Sequence, residues 1–160
     1  MYEKPNVKFI CGNVDVLQRL VKCNAKKSNV YLLECNSWYN MGCIKVCCEE
    51  LSHDVPNNLL KFEIFDKKGI YIVDTSNVDN VLAKNYDFYF IECNYSMEEI
   101  EERKAKKQLN GEFTYEDRVI NTHLNKEQCD KFLLENMGEN SQYIYCHRHE
   151  ERKEDYENIE

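Results

Sequence analysis

The stretch "YDFYFIECNYSMEEIEERKAKKQL", residues 86–109, decides the fold class. Its first eight residues are mostly apolar and aromatic, which is typical of a buried β-strand. Ser96 and Glu99 then form a capping-box pattern, and acidic residues precede basic residues in the segment that follows, as a helix dipole favours. A buried strand that leads directly into a capped helix predicts an α/β protein.

The segments upstream are mainly strand-like. Residues 7–10 predict a short strand, and Asn13 or Asp15 offers the N-cap of a helix through residue 23. Two strands are expected over residues 29–35 and 42–48. Further strand-like residues flank "DKKG", residues 66–69, so we expect a hairpin there with Gly69 supplying the permissive backbone.

The segments downstream alternate between helix and strand. Asn125 and Gln128 form a second capping box, which opens a helix that Gly138 is expected to end. Residues 142–147 predict a final strand. This order of elements favours a mixed β-sheet with helices packed on it.

Composition and charge limit the class of protein. The chain has 160 residues, of which 42% are hydrophobic, so we expect one domain over residues 1–148 followed by an acidic tail over 149–160. A net charge of -8 makes direct nucleic-acid binding an unfavourable reading, because phosphate contacts need clustered Lys and Arg. Since the sequence shows neither a signal peptide nor a long apolar run, we expect a cytoplasmic protein with no membrane partner.

The nine cysteines favour buried, reduced thiols over a disulfide scaffold. They are odd in number and scattered, and most of them lie in apolar runs, where a free Cys behaves as a small hydrophobic residue. Cys43, Cys47 and Cys48 are the only closely spaced group, and the sequence has no CxxC pair for a zinc ribbon.

Polar residues collect where the predicted strands end. A metal site needs several nitrogen and oxygen donors from separate, rigid elements, and strand ends along one sheet edge provide them. Taken singly, a His is more often a hydrogen-bonded residue and an Asp at a strand end a turn former. Their co-occurrence makes a metal site a hypothesis for the following residues: His53, Asp54, Asp74, Glu92, Asn94, His123 and His147.

These residues lie in segments that resemble the C-terminal two-thirds of a metallo-β-lactamase-fold hydrolase, and are most similar to the short forms carried by phages. The segments are "LSHDVPN", "GIYIVDTSNV", "YDFYFIECNYS", "RVINTHLNKEQ" and "YIYCH". The resemblance implies a partial metallo-β-lactamase-like fold in which His53, Asp74 and His123 are metal ligands. It places Asp54, Glu92, Asn94 and His147 in the supporting shell.

The sequence also departs from that family. The family's His-x-His-x-Asp-His motif is absent, since no His precedes His53. A pair of ions with a bridging water cannot be held by one Asp and two His. We therefore expect either no cofactor or a single ion, zinc or manganese, with a thiolate from Cys43, Cys47 or Cys48 as a minor option.

Two functions follow from this departure. The chain is expected to be a non-catalytic remnant that binds proteins, either as a homo-oligomer or on a host protein complex, in the manner of a phage anti-CRISPR inhibitor in the host cytoplasm. The alternative is a metal-dependent phosphodiesterase or nuclease that a second chain completes. Under that alternative Arg118 is a candidate phosphate ligand, although it is more often a salt-bridge partner.

Overall fold

The computed structural model describes residues 7–147, and its main element is a six-stranded β-sheet in the order β3-β4-β5-β6-β7-β8. Strands β3 to β6 pair antiparallel, whereas β6, β7 and β8 run parallel to one another. A separate two-stranded parallel sheet joins β1 to β2. The strands are β1 (Phe9–Cys11), β2 (Val30–Leu32), β3 (Tyr39–Asn40), β4 (Ile44–Leu51), β5 (Asn57–Ile64), β6 (Lys67–Ile72), β7 (Phe88–Glu92) and β8 (Gln142–Cys146).

Four α-helices complete the fold: α1 (Val14–Lys22), α2 (Met97–Leu109), α3 (Glu116–Thr122) and α4 (Lys126–Asn136). A short 3-10 helix, Lys27–Asn29, precedes β2. Apolar residues of α4, including Phe132 and Leu133, pack with Ile70, Tyr89 and Ile91 of the sheet in the largest core cluster. The predicted α/β class, a mixed sheet with helices packed on it, is confirmed.

The three predicted helix starts are confirmed by their caps. The Asn13 side chain accepts a hydrogen bond of 2.9 Å from the Val16 N–H at the start of α1. Ser96 with Glu99 and Asn125 with Gln128 form complete capping boxes at α2 and α4. These caps could be predicted from the sequence because each depends on residues only three apart.

The predicted hairpin exists, but the role given to Gly69 is wrong. The turn falls at Phe65 and Asp66, where Phe65 takes the left-handed conformation with a φ of 54°. Gly69 lies inside β6, and a Cβ there would overlap the Phe62 ring. The glycine is therefore needed for the close approach of an aromatic ring across the sheet.

Two features of the helices also differ from the prediction. Helix α3 was not predicted, and its N-cap residue, Tyr115, makes no side-chain capping bond. Helix α4 ends at Asn136 with Met137 as its C-cap, so Gly138 lies directly after the helix as predicted, but without the positive φ of a left-handed cap.

The two faces of the main sheet differ in how they are covered. One face is covered by α4, while on the other face the β1–β2 unit packs with residues of β4 and β5, such as Val46, Cys48 and Leu60. Beyond this unit, Tyr71, Phe90 and Ile144 are direct neighbours across β6, β7 and β8 on the same face. Tyr71 is 42% exposed and Ile144 is 52% exposed, so this part of the face has little cover from residues 7–147.

Buried thiols are confirmed for five of the nine cysteines: Cys11, Cys47, Cys48, Cys93 and Cys129. The predicted acidic tail, including His149, lies outside the described residues. Within residues 7–147, none of the helices has the length and apolar character that crossing a bilayer requires.

Candidate metal centre

The candidate site forms where three parallel strands end. Because β6, β7 and β8 run in the same direction, their carboxyl ends meet at one edge of the sheet. Asp74 follows β6, Glu92 is the last residue of β7, and His147 follows β8. His123 reaches the same place from the C-cap position of α3. Four separate elements thus deliver four donor side chains to one point.

Glu92 is the centre of this arrangement, and its side chain is fully buried. Its Oε1 accepts hydrogen bonds of 2.9 Å from the N–H groups of Thr75 and Leu124. Its Oε2 accepts one of 2.9 Å from the Asp74 N–H and lies 3.0 Å from Nδ1 of His123 and 3.3 Å from Nδ1 of His147. One carboxylate therefore anchors the backbones that follow β6 and α3 and the rings of both histidines.

The pKa of Glu92 reflects these contacts. Burial by itself raises the pKa of this carboxyl group, but the hydrogen bonds from His123, His147, Leu124 and Thr75 outweigh that effect and lower the pKa to about 2. The hydrogen bond to Glu92 in turn raises the pKa of the His147 imidazole, although burial opposes this. Glu92 is therefore ionised at neutral pH, as a metal-ligating carboxylate must be.

Asp74 and His147 hold their positions through an unusual backbone. Both take the left-handed conformation, with φ values of 53° and 52°, which few residues other than Gly adopt, Asn, Asp and His more often than the rest. The Asn57 side chain donates to the carbonyl groups of Val73 and Asp74 at 2.6 and 2.8 Å. This clamp holds the turn that carries Asp74, whose Oδ1 lies 3.0 Å from Nδ1 of His147.

The four side chains form a compact set of potential metal donors. One ligand atom from each of Asp74, Glu92, His123 and His147 lies within 4.8 Å of the other three. The closest pairs between carboxylate oxygens and ring nitrogens span 3.0 to 3.6 Å. Glu92 is fully buried, whereas the side chains of Asp74 and His147 are 40% and 44% exposed. The cluster is therefore anchored on one side and open to solvent on the other.

The structure brings together part of the predicted ligand set. Asp74 and His123, which the sequence suggested as ligands, belong to the cluster, as do Glu92 and His147, which were expected in a supporting shell. Asn94 lies next to the cluster, since its Nδ2 donates a hydrogen bond of 3.3 Å to the His147 carbonyl. That any of these residues binds a metal stays a prediction.

His53, Asp54 and Arg118 form a neighbouring group. The rings of His53 and His123 meet edge to face with centroids 5.4 Å apart, so His53 lies beside the four donors and is not one of them. Its Nδ1 is 2.8 Å from Asp54, and Arg118 contacts the same carboxylate through Nε and Nη2 at 3.0 and 2.6 Å. Arg118 is thus a salt-bridge partner in this structure, and a phosphate ligand would compete with Asp54.

Sequence reasoning missed the groups that hold the site in place. The Asn57 clamp and the N–H groups of Thr75 and Leu124 are not visible from residue type, because each acts through backbone atoms brought near by folding. The cysteines at positions 43, 47 and 48, considered as thiolate donors, are not part of the four-donor cluster.

A change of Glu92 to Gln tests the central role of this carboxylate. We expect Glu92→Gln to lower the free energy of unfolding at pH 7 by about 3 kcal/mol, because the pKa in the folded state is about 2 against roughly 4.3 when unfolded. Since the folded pKa is the lower one, this contribution is complete above about pH 4.3 and is lost as the pH falls towards 2. Urea unfolding at about pH 7 and about pH 3.5 would show the difference between wild type and variant narrowing in acid.

The matched control is Glu135→Gln, which removes an exposed carboxylate from α4. It should change the unfolding free energy little at either pH. A loss for Glu92→Gln that is the same at both pH values would contradict the assignment of an ionised, hydrogen-bonded Glu92.

Comparison with known proteins yields likeness to solved structures alone. No family model matches the sequence, and no curated protein matches it. Among solved structures, the metallo-beta-lactamase fold protein YhfI from Bacillus subtilis matches with a TM-score of 0.47 and 17% sequence identity. The match covers 55% of this chain and 38% of that protein. At this level the likeness carries no ligand set or activity across, and the site rests on its own geometry.

Proposed function

We propose that this protein binds a single divalent metal ion through Asp74, Glu92, His123 and His147. The observation that carries the proposal is the convergence of two carboxylates and two imidazoles from four elements, with carboxylate oxygens 3.0 to 3.6 Å from ring nitrogens and one ligand atom of each residue within 4.8 Å of the other three. For a zinc ion with ligands at about 2.0–2.1 Å, the edges of a tetrahedron are about 3.3–3.4 Å long. The four carboxylate–imidazole distances in the protein are therefore close to those around a single tetrahedral ion.

The supporting contacts also favour a metal. A ligating carboxylate needs further hydrogen bonds to fix its direction, and three backbone N–H groups provide them for Glu92. Imidazole and carboxylate donors suit zinc well, while manganese prefers a higher share of oxygen ligands. The two carboxylates also match the charge of a divalent ion, which makes the site neutral when the imidazoles are unprotonated.

Hydrolysis is the chemistry that such an ion would supply, since a bound metal lowers the pKa of a coordinated water. The exposed fractions of Asp74 and His147 leave one side of the cluster open to water or substrate. This feature supports the candidate function of a phosphodiesterase or nuclease completed by a second chain. In that role Asp74 and His147 would border the open side, while Glu92 would hold the assembly from the buried side.

Protein binding is supported by a different observation. Tyr71, Phe90 and Ile144 form an apolar strip on the sheet face, and β8 is an edge strand whose outer side pairs with no strand of residues 7–147. An open edge beside an apolar face favours pairing with a second copy of this chain. A host defence complex as the partner, as for an anti-CRISPR inhibitor, stays a prediction.

Metal titration tests the first proposal. We expect the purified, metal-free protein to bind one zinc ion, and Asp74→Asn or His123→Ala to weaken binding by at least about tenfold, or roughly 1.4 kcal/mol, because each removes a donor. Calorimetry with zinc would give both the stoichiometry and the affinity. Asp79→Asn, at an exposed position outside the cluster, is the matched control. Absence of binding, or equal affinity in all variants, would sink the proposal.

A phosphodiesterase assay tests the hydrolytic candidate. We expect zinc-loaded protein to hydrolyse bis(4-nitrophenyl) phosphate, and Asp74→Asn to abolish this activity while Asp79→Asn retains it. If a second copy completes the site, the rate per chain should rise with protein concentration. Turnover that persists in Asp74→Asn would show a contaminating enzyme, and no turnover in any preparation would favour a binding role.

Measurement of the molecular mass in solution tests the proposed pairing with a second copy of the chain. We expect a concentration-dependent dimer in sedimentation, and we expect Ile144→Lys to shift it to monomer because the substitution places a charge in the apolar strip. Leu134→Lys is the control, since Leu134 is 87% exposed on α4, away from this face. A wild-type monomer at all concentrations would argue against self-association.

A further inference from the structure

His53 carries a buried polar atom that the four-donor cluster leaves unused. The side chain is only 9% exposed, and its Nε2 is buried with no hydrogen-bond partner among residues 7–147. An unpaired buried group of this kind costs about 1–3 kcal/mol, so such groups are uncommon in folded proteins. The ring lies against His123, one of the four donors. A buried, unused nitrogen beside a candidate metal centre indicates a role toward whatever binds there.

Nδ1, the other nitrogen of the His53 ring, contacts Asp54, which forms an ion pair with Arg118. Asp54 Oδ1 lies 2.8 Å from His53 Nδ1, and Arg118 grips the Asp54 carboxylate through two nitrogens. The hydrogen bond from Arg118 lowers the pKa of Asp54, which therefore stays an ionised acceptor. An ionised carboxylate at Nδ1 favours the tautomer in which Nδ1 carries the proton and Nε2 keeps its lone pair.

One contact favours the opposite tautomer. The Val55 N–H lies 3.3 Å from the same Nδ1 and would donate to it if that nitrogen carried the lone pair. The charged oxygen of Asp54 is nearer to Nδ1 by 0.5 Å, and at 2.8 Å it would repel a lone pair on that nitrogen and attract a proton. The arrangement with a proton on Nδ1 is therefore the favoured one.

We propose that Arg118 and Asp54 position His53 so that its Nε2 accepts a hydrogen bond from a protic ligand of the metal ion, such as water or a substrate N–H or O–H group. The inference rests on the proposed metal site and adds a residue to it. His53 would contact the ligand, while Asp54 and Arg118 act through His53 as positioning residues. The loop between β4 and β5 would then contribute to ligand recognition, and the ion itself would be held by the other four side chains.

The first experiment determines which ring nitrogen of His53 carries the proton. In ¹⁵N NMR spectra of metal-free protein, with His53 assigned by its absence in His53→Ala, we expect a protonated Nδ1 and a lone pair on Nε2. Asp54→Asn should move the proton to Nε2, because an amide can donate to Nδ1, and Arg118→Gln should weaken the preference. Lys104→Gln, which breaks the exposed ion pair with Asp117 on the same helix α3, should leave the spectrum of His53 unchanged. A wild-type ring with its proton on Nε2 would overturn the proposal.

The second experiment measures ligand binding to protein loaded with cobalt in place of zinc, which reports coordination by its visible spectrum. The probe is acetohydroxamate, which binds metals through its oxygens and retains an N–H, and the comparison is N-methylacetohydroxamate, which has no such donor. We expect Asp54→Asn and His53→Ala to weaken acetohydroxamate binding by about three- to tenfold, the range for one hydrogen bond, without affecting the methylated probe. Lys104→Gln should bind both as wild type does.

The outcomes separate this inference from the metal site itself. Loss of cobalt binding in His53→Ala would make His53 a metal ligand and overturn the proposal, as would equal effects on both probes. If wild-type protein binds neither zinc nor cobalt, the proposed function fails. The NMR experiment would still show in that case whether Arg118 and Asp54 set the tautomer of His53.

Discussion

The structure depends on one buried carboxylate. Glu92 joins the turn after β6, the end of β7, the junction between α3 and α4, and the residue after β8 through hydrogen bonds to five partners. Burying an ionised carboxylate without hydrogen-bond partners would be strongly unfavourable. The folded state therefore requires all five hydrogen-bonding groups to be in place around Glu92. Asp74, His123 and His147 lie close together because each belongs to a segment that is hydrogen-bonded to Glu92.

The negative charge of the cluster can be balanced either by protons or by a metal ion. Asp74 and Glu92 carry two negative charges when ionised, and two protonated imidazoles balance them as well as one divalent cation does. The hydrogen bond to Glu92 raises the pKa of His147, which is the expected behaviour of an imidazole that takes this balancing role. Protons and a metal ion would therefore compete for the same four side chains.

The sequence predicted those features that depend on near neighbours or on order along the chain. The capping boxes at Ser96 and Asn125 were recognisable because both partners lie within one helical turn. Strand ends located Asp74, Glu92 and His147 at one edge because parallel strands share an end, whereas His123 comes from the C-cap of α3. Helix α3 was missed because its buried Glu116 looks like a surface residue until it is paired with Lys107 of α2 at 2.7 Å. That His147 lies in the four-donor cluster and His53 beside it depends on backbone angles and on distant contacts, which spacing alone does not specify.

The position of the cluster relates the metal and partner proposals. Tyr71, Phe90 and Ile144 lie only two or three residues before Asp74, Glu92 and His147 on their strands, which is about 7–10 Å at the rise of a β-strand. A chain that covered the apolar strip would thus reach the open side of the cluster, where Asp74 and His147 are exposed. Among residues 7–147 there is one group of donors with metal-site spacing. Metal binding and protein binding would therefore be compatible at a single surface. The covering chain would either block access to the metal centre or supply it with further groups for catalysis.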